Sequence, residues 1–162
     1  MPETIKNKTI LAFISHASVL LNYNGQLLIT DPWYISSAFS TWWPCPPPAF
    51  NVEMLIGLIK GSKTSIVISH AHPDHFDQAF MRKLPKNTPI LIPKYSDNHF
   101  IEILKDIGFT HITEIKNRTI KKGYFKFQSF PHFDSSYDAA ISIETPDSFI
   151  FHGNDSWRLE KE

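Results

Sequence analysis

The stretch "TSIVISHAHPDHFD", residues 64–77, decides how this chain folds and where its chemistry sits. Its first six residues, through Ser69, form a short β-branched run, the pattern of a strand buried on both faces. Directly behind it, three of the chain's eight histidines and two aspartates fall between His70 and Asp77. His70 and His72 stand two apart, so at an extended strand end both side chains leave on the same side and can grip one ion. Pro73, with its fixed φ, turns the backbone and redirects Asp74 and His75 toward a neighbouring ion. Packing alone accounts poorly for such a group, because it would bury several polar side chains that need partners. Imidazole is the commonest metal ligand in proteins, so H-x-H-x-D-H at a strand end reads as a two-ion design.

Outward from this cluster, strands and helices alternate. Upstream, residues 9–15 and 18–31 read as strands, with Asn24-Gly25 between two apolar runs as a hairpin signal and Asp31-Pro32 as the stop. The stretch "PWYISSAFSTWWPCPPPAF" (32–50) can neither join a sheet ladder nor form a helix. Trp33, Trp42 and Trp43 give it the content of a pocket wall, or of a cover over a sheet face. Residues 51–60 have helical spacing, with Asn51 as N-cap and Gly61 just past the end. A helix over 77–84, a strand at 88–93, an amphipathic helix over 96–107 stopped by Gly108, and a strand at 111–115 follow. This β-α-β-α-β order indicates a layered α/β fold. After Arg118 the pattern changes to strands, in "GYFKFQSF", "DAAISIET" and "SFIFHGND". The expected class is therefore mixed α/β (α+β), with helices on an outer face.

At 162 residues and 42% hydrophobic content the chain can bury a real core, and its length suits one domain over residues 1–162. Sixteen basic residues balance sixteen acidic ones, which argues against nucleic acid as a partner. The basic run "KNRTIKK" (116–122) reads as a solvated hairpin end. Cys45 is the only cysteine, so no intrachain disulfide forms and a reducing compartment is expected. No uncharged apolar run approaches the ~20 residues of a membrane helix, so the expectation is a cytoplasmic protein without a membrane partner.

The segment "SHAHPDH" resembles the H-x-H-x-D-H signature of the metallo-β-lactamase superfamily. "LLITDP" resembles that family's early strand ending in aspartate, "SFPHFD" supplies a later histidine, and "FIFHGND" supplies a strand ending in aspartate. More narrowly, "HASVLLNYNGQLLITDPWY" and the terminal Asn-Asp resemble the branch containing ascorbate-6-phosphate lactonase and the metal-binding region of CMP-N-acetylneuraminate hydroxylase. The resemblance implies that His70, His72 and His132 hold one metal, Asp74 and His75 a second, and Asp155 bridges them. It places Asp31 behind the ligands as their support. His16 is either a plain turn residue or a further group facing the site. His99, His111 and His152 match no motif position and read as structural or exposed.

The implied fold is an αββα sandwich of two similar halves, the second of which supplies a last histidine to the second metal. No histidine follows His152 here and the sequence ends seven residues after Asp155, so the second half is expected to be incomplete, truncated relative to the family, and the second ion a ligand short. An incomplete sheet would favour self-association, as a homo-oligomer covering the open face. The implied cofactors are two divalent ions, zinc first, with manganese or iron as alternatives. The implied activity is hydrolysis of an ester, lactone, amide or phosphodiester in a small, sugar- or acyl-containing substrate, with Asp74 as the catalytic carboxylate. Two other outcomes stay open: an inactive or half-active fragment, and a di-iron oxygenase-like component, for which one cysteine cannot hold an iron-sulfur donor.

Overall fold

β1 (Thr9–Ser15) turns at His16 and Ala17 into β2 (Ser18–Tyr23), and Asn24-Gly25 turns β2 into β3 (Gln26–Thr30). Asn24 and Gly25 both take positive φ, 50° and 83°, the two-residue geometry whose twist matches that of the flanking strands. The computed structural model describes residues 6–116, 118–131 and 138–156. From β3 the chain continues through the long loop to α1 (Val52–Gly61), β4 (Lys63–Val67), α2 (Gln78–Arg82), β5 (Ile90–Pro93), α3 (His99–Ile107) and β6 (Ile112–Ile115). It then forms β7 (Ile120–Lys122), β8 (Phe125–Pro131), β9 (Ala139–Glu144) and β10 (Phe149–His152).

Two sheets result. One has six strands in the order β1-β2-β3-β4-β5-β6, antiparallel through β3 and parallel from β3 to β6. The other has four, in the order β10-β9-β8-β7, antiparallel throughout. Alternation along the central strands splits the core. Ile29, Ile66 and Ile90 face α1, α2 and α3, meeting Leu55, Ile59, Phe80 and Leu104. Their neighbours Leu28, Val67 and Leu91 face the smaller sheet, meeting Phe125, Phe127, Ile141 and Ile143. Each such side chain taken out of water contributes about 1.5–3 kcal/mol, which fixes the face each strand presents and hence its register. This is the mixed α/β sandwich that the sequence implies. Among the described residues no helix covers the outer side of the smaller sheet, where Phe149 and Phe151 are exposed. No helix among them is long and apolar enough to cross a membrane.

Several boundaries move. The Asn51 side chain accepts from Glu53 N and Met54 N, so α1 starts where expected, but Gly61 lies inside the helix and Ser62, extended at φ −132°, ends it. α2 is shorter than residues 77–84, because Asp77 caps it and a turn ahead of Pro85 closes it. α3 begins at His99, whose N–H donates to Asp97 Oδ1, and stops at Gly108 with φ 106°. The described residues of the basic run lead from β6 into β7, and its last residue, Lys122, pairs Phe125 across the turn at Gly123, so the run ends at a hairpin as expected.

Candidate metal centre

The parallel strands all point their C-terminal ends the same way, and the first two deliver ligand-type side chains there. β3 runs into Asp31 and β4 into Ser69 and His70. The smaller sheet meets them: Asp138 precedes β9, His152 closes β10, and Asp155 follows. His16 enters from the β1–β2 turn, at φ 47°. Behind His72 the chain folds tightly, with the N–H groups of His75 and Phe76 donating to the His72 carbonyl at 3.0 and 2.9 Å. This turn, begun by Pro73, brings Asp74 and His75 back beside His70.

Asp31 is the hub. It is fully buried, accepts from Ser69 N at 2.6 Å and Ser69 Oγ at 2.8 Å, and bonds His75 Nδ1 at 2.9 Å and His152 Nε2 at 2.7 Å through Oδ2. Burial alone would raise its pKa, but the bonds and charges of His152 and His75 outweigh this and hold the carboxyl well below its ordinary value. Reciprocally, burial opposes charge on His75, while Asp31, with Asp155 and Asp74, more than offsets it and raises the imidazole pKa. With Nδ1 engaged by Asp31, His75 offers Nε2 to the site. This is how a carboxylate behind a histidine fixes which nitrogen faces a metal.

The other rings close in around that nitrogen. His70 Nε2 lies 2.9 Å from His72 Nδ1, and the His70 ring centroid is 4.2 Å from that of His75. Burial, and then the charge of His75, push the His70 pKa down to about 4, keeping it a neutral donor of lone pairs. Asp155 places Oδ2 at 3.5 Å from His70 Nε2 and Oδ1 at 3.4 Å from His75 Nε2, one oxygen toward each histidine. Asp74 Oδ2 sits 3.4 Å from His16 Nε2 and 3.8 Å from His75 Nε2. Among the described residues three sets therefore bring their ligand atoms within 4.8 Å of one another: His70, His72 and Asp138; His70, His75 and Asp155; His16, Asp74 and His75.

The fit to divalent ions rests on two atoms. Asp74 Oδ1 and His75 Nε2 are buried without a hydrogen-bond partner. An orphaned buried carboxylate oxygen costs roughly 1–3 kcal/mol or more, a cost that coordination would remove. Imidazole nitrogens and carboxylate oxygens in this ratio suit zinc, manganese or iron. The donor set fits the group that the sequence implies.

His70, His72, Asp74, His75, Asp155, Asp31 and His16 converge at this one end of the sandwich, while His132 lies outside the described residues. Two residues were not foreseen. Asp138, read only as a strand start, stands 3.8 Å from His70 Nε2. His152, read as structural or exposed, bonds Asp31; its signal lay in the β10 alternation, which puts it on the inner face with Ile150. His99 and His111 are exposed and away from the cluster.

The loop 32–50 walls one side. Asp77 Oδ2 accepts from the backbone N–H groups of Tyr34, Ile35 and Ser36, and Oδ1 from Ser36 Oγ and from Phe80 N at the start of α2. Further along, Ala38 and Trp42 bond each other's backbone, forcing Phe39 and Ser40 to φ 48° and 68°. Phe39 stands with its ring centroid 5.3 Å from Trp42 and 6.1 Å from His72, both aromatic side chains at least half exposed. An open cavity of about 350 Å³ lies on the other side, lined by His16, His75, His152 and Asp155 among others.

Known proteins resemble this chain in sequence and in fold. The profile described as the beta-lactamase superfamily domain matches residues 10–141. The human inactive cytidine monophosphate-N-acetylneuraminic acid hydroxylase is 32% identical over 90 residues, covering 54% of this chain and 17% of that protein. The chain spans less than a fifth of the length of the curated relatives it matches. Among solved structures, a possible metal-dependent hydrolase from Veillonella parvula superposes with a TM-score of 0.70 at 14% identity, over 87% of this chain and 60% of that one. CmlA, a diiron beta-hydroxylase from Streptomyces venezuelae, gives 0.62 at 17% identity, over 92% of this chain and 30% of that one. With the profile spanning most of its length, the chain belongs to the beta-lactamase superfamily.

Proposed function

We propose that this chain carries a two-ion hydrolytic centre that acts on an ester, lactone, amide or phosphodiester bond of a small molecule. The observation that carries the reading is the pair of buried atoms without a hydrogen bond, Asp74 Oδ1 and His75 Nε2, inside a ring of histidines and aspartates. His70, His72 and Asp138 would hold one ion, with His132 as a further ligand. His16, Asp74 and His75 would hold the other, and Asp155 would lie between them. His16 thus takes the place of the histidine that the second ion was expected to lack. Bound divalent ions supply a water acidified to near neutrality and a pull on the substrate's carbonyl or phosphoryl oxygen. Asp74 would orient a water at the site and accept its proton. Asp31 holds His75 in the required tautomer, and Ser69 Oγ does the same for His70 from 2.9 Å. Phe39 and Trp42 offer a flat apolar face beside His72, suited to a sugar ring or an acyl group.

Elemental analysis of the purified chain, paired with a His70→Ala/His72→Ala variant and a panel of chromogenic ester, lactone and phosphodiester substrates, tests the reading. Close to two ions per chain and turnover, both lost in the variant, support it; one ion or none would favour a half-active fragment. The likeness in fold to CmlA, a diiron beta-hydroxylase, favours one second reading, oxidative chemistry at a di-iron centre. Dioxygen uptake by the iron-loaded chain with a chemical reductant, in the absence of hydrolysis, would establish that reading instead.

A further inference from the structure

The opposite end of the sandwich holds a second cavity, of about 400 Å³, at the N-terminal ends of the parallel strands. Lys60 from the end of α1, Lys63 from the start of β4 and Lys122 from the end of β7 all line it. None of the three is in an ion pair among the described residues, and no carboxylate lines the cavity. Three unpaired cations in one hollow stand out in a chain whose formal charge is zero. The C-terminal end of α1 also borders it, and its partial negative charge works against an anion, so the lysines must outweigh it.

A separate observation points the same way. Thr64 lines this cavity, is only 6% exposed, and its Oγ1 has no hydrogen-bond partner. A buried hydroxyl left unpaired is costly, and a ligand oxygen would satisfy it. The wall opposite is rigid. Gln26 donates from Nε2 to the Lys122 carbonyl at 3.0 Å and accepts from Tyr124 N at 3.0 Å, and Gly123 lies so close that a Cβ there would come within 2.0 Å of Gln26 Oε1. The Lys122 backbone is thereby fixed against β3.

We propose that this cavity binds a small phosphate-bearing ligand, held by Lys60, Lys63 and Lys122 and by the Thr64 hydroxyl. Ammonium groups and a hydroxyl supplied to one hollow by α1, β4 and β7 suit a tetrahedral dianion. A planar carboxylate is better matched by the arginine fork, and no arginine lines the cavity. Its volume falls within the range of small-molecule sites. From Thr64 to His70 the chain runs six residues along and past β4, about 20 Å if extended, so the ligand would lie apart from the metal centre as an effector.

The test is a titration of the full chain with inorganic phosphate at constant ionic strength, read by thermal shift and phosphorus NMR. Metal is first stripped with a chelator, and the His70→Ala/His72→Ala variant is titrated in parallel, so that phosphate at the metal centre does not contribute. Saturable stabilisation by phosphate but not by acetate is expected. A Lys63→Gln/Lys122→Gln variant should bind at least about tenfold more weakly. Thr64→Val should raise the melting temperature of the phosphate-free chain, by removing an orphaned hydroxyl, and should also weaken phosphate binding. An equal response to acetate, binding unchanged in the lysine variant, or a Thr64→Val chain that melts lower without phosphate would each overturn the proposal.

Discussion

Replacing Asp77 by alanine should unfasten the loop that walls the metal centre, and the cost can be worked from its bonds. The carboxylate, 1% exposed, accepts five hydrogen bonds: three from the backbone N–H groups of residues 34–36, one from Ser36 Oγ and one from Phe80 N. The Phe80 bond is an N-cap, whose loss costs about 1 kcal/mol. Tyr34 is buried, so its N–H would be left with no acceptor at about 1–3 kcal/mol, whereas Ile35 and Ser36 are half-buried and recover part of their loss from water. The sum is about 4 kcal/mol, a large share of the roughly 5–15 kcal/mol that holds a domain together. Asp77→Asn keeps one acceptor oxygen but loses the charge and turns an NH₂ toward Phe80 N, so about 2 kcal/mol is expected.

Urea unfolding followed by tryptophan fluorescence reads both variants, because Trp33 is buried and donates to the Ser36 carbonyl at 2.7 Å, within the affected loop. Acidity supplies a second axis. Burial alone would raise the Asp77 pKa, but the backbone bonds from Ser36, Ile35, Tyr34 and Phe80 together hold it below the ordinary 3.8. Its contribution is therefore present above 3.8 and is lost as pH falls through the depressed folded value, so the gap between wild type and Asp77→Asn should close in acid. An alanine variant within about 1 kcal/mol of wild type, or a gap to Asp77→Asn that does not change with pH, would refute the reasoning.

Two further outcomes are expected. Asp31→Asn, which tolerates the positive φ of 34°, should lower zinc affinity in equilibrium dialysis about 10- to 100-fold while the fold persists, because His75 Nδ1 loses its carboxylate partner; unchanged affinity would remove Asp31 from its supporting role. Gly123→Ala should cost about 2–3 kcal/mol in urea unfolding, from positive φ and from displacing the Gln26 amide, and Gln26→Ala on the same background should recover part of it; strictly additive costs would show that the two residues do not collide.

The sequence made the local devices legible and left the distant ones hidden. Asn24-Gly25 announced its hairpin because positive φ at two adjacent positions demands such residues. Asn51 and Gly108 announced helix ends for equally local reasons. The H-x-H-x-D-H run was readable because the strand tip and the turn at Pro73 arrange its members within six residues. Asp138 and His152 were not, since what matters about them is which sheet end they reach. Asp138 meets His70 across 68 positions, and His152 meets Asp31 across 121. Their pairing depends on how two sheets stack, which no local propensity encodes. The distal cavity was invisible for the same reason: Lys60, Lys63 and Lys122 acquire a common meaning only when β7 crosses to the second sheet.

That stacking carries a mechanical consequence. His70, His72 and His75 hang from the larger sheet, whereas Asp138 and Asp155 hang from the smaller one. An ion shared among them would act as a rivet through two plates, with the apolar interlayer as the adhesive farther in. Releasing the ion and prising the plates apart at that end would then become a single event, linked by mass action to the supply of free metal. The lifetime of the molecule would then follow the metal content of its surroundings.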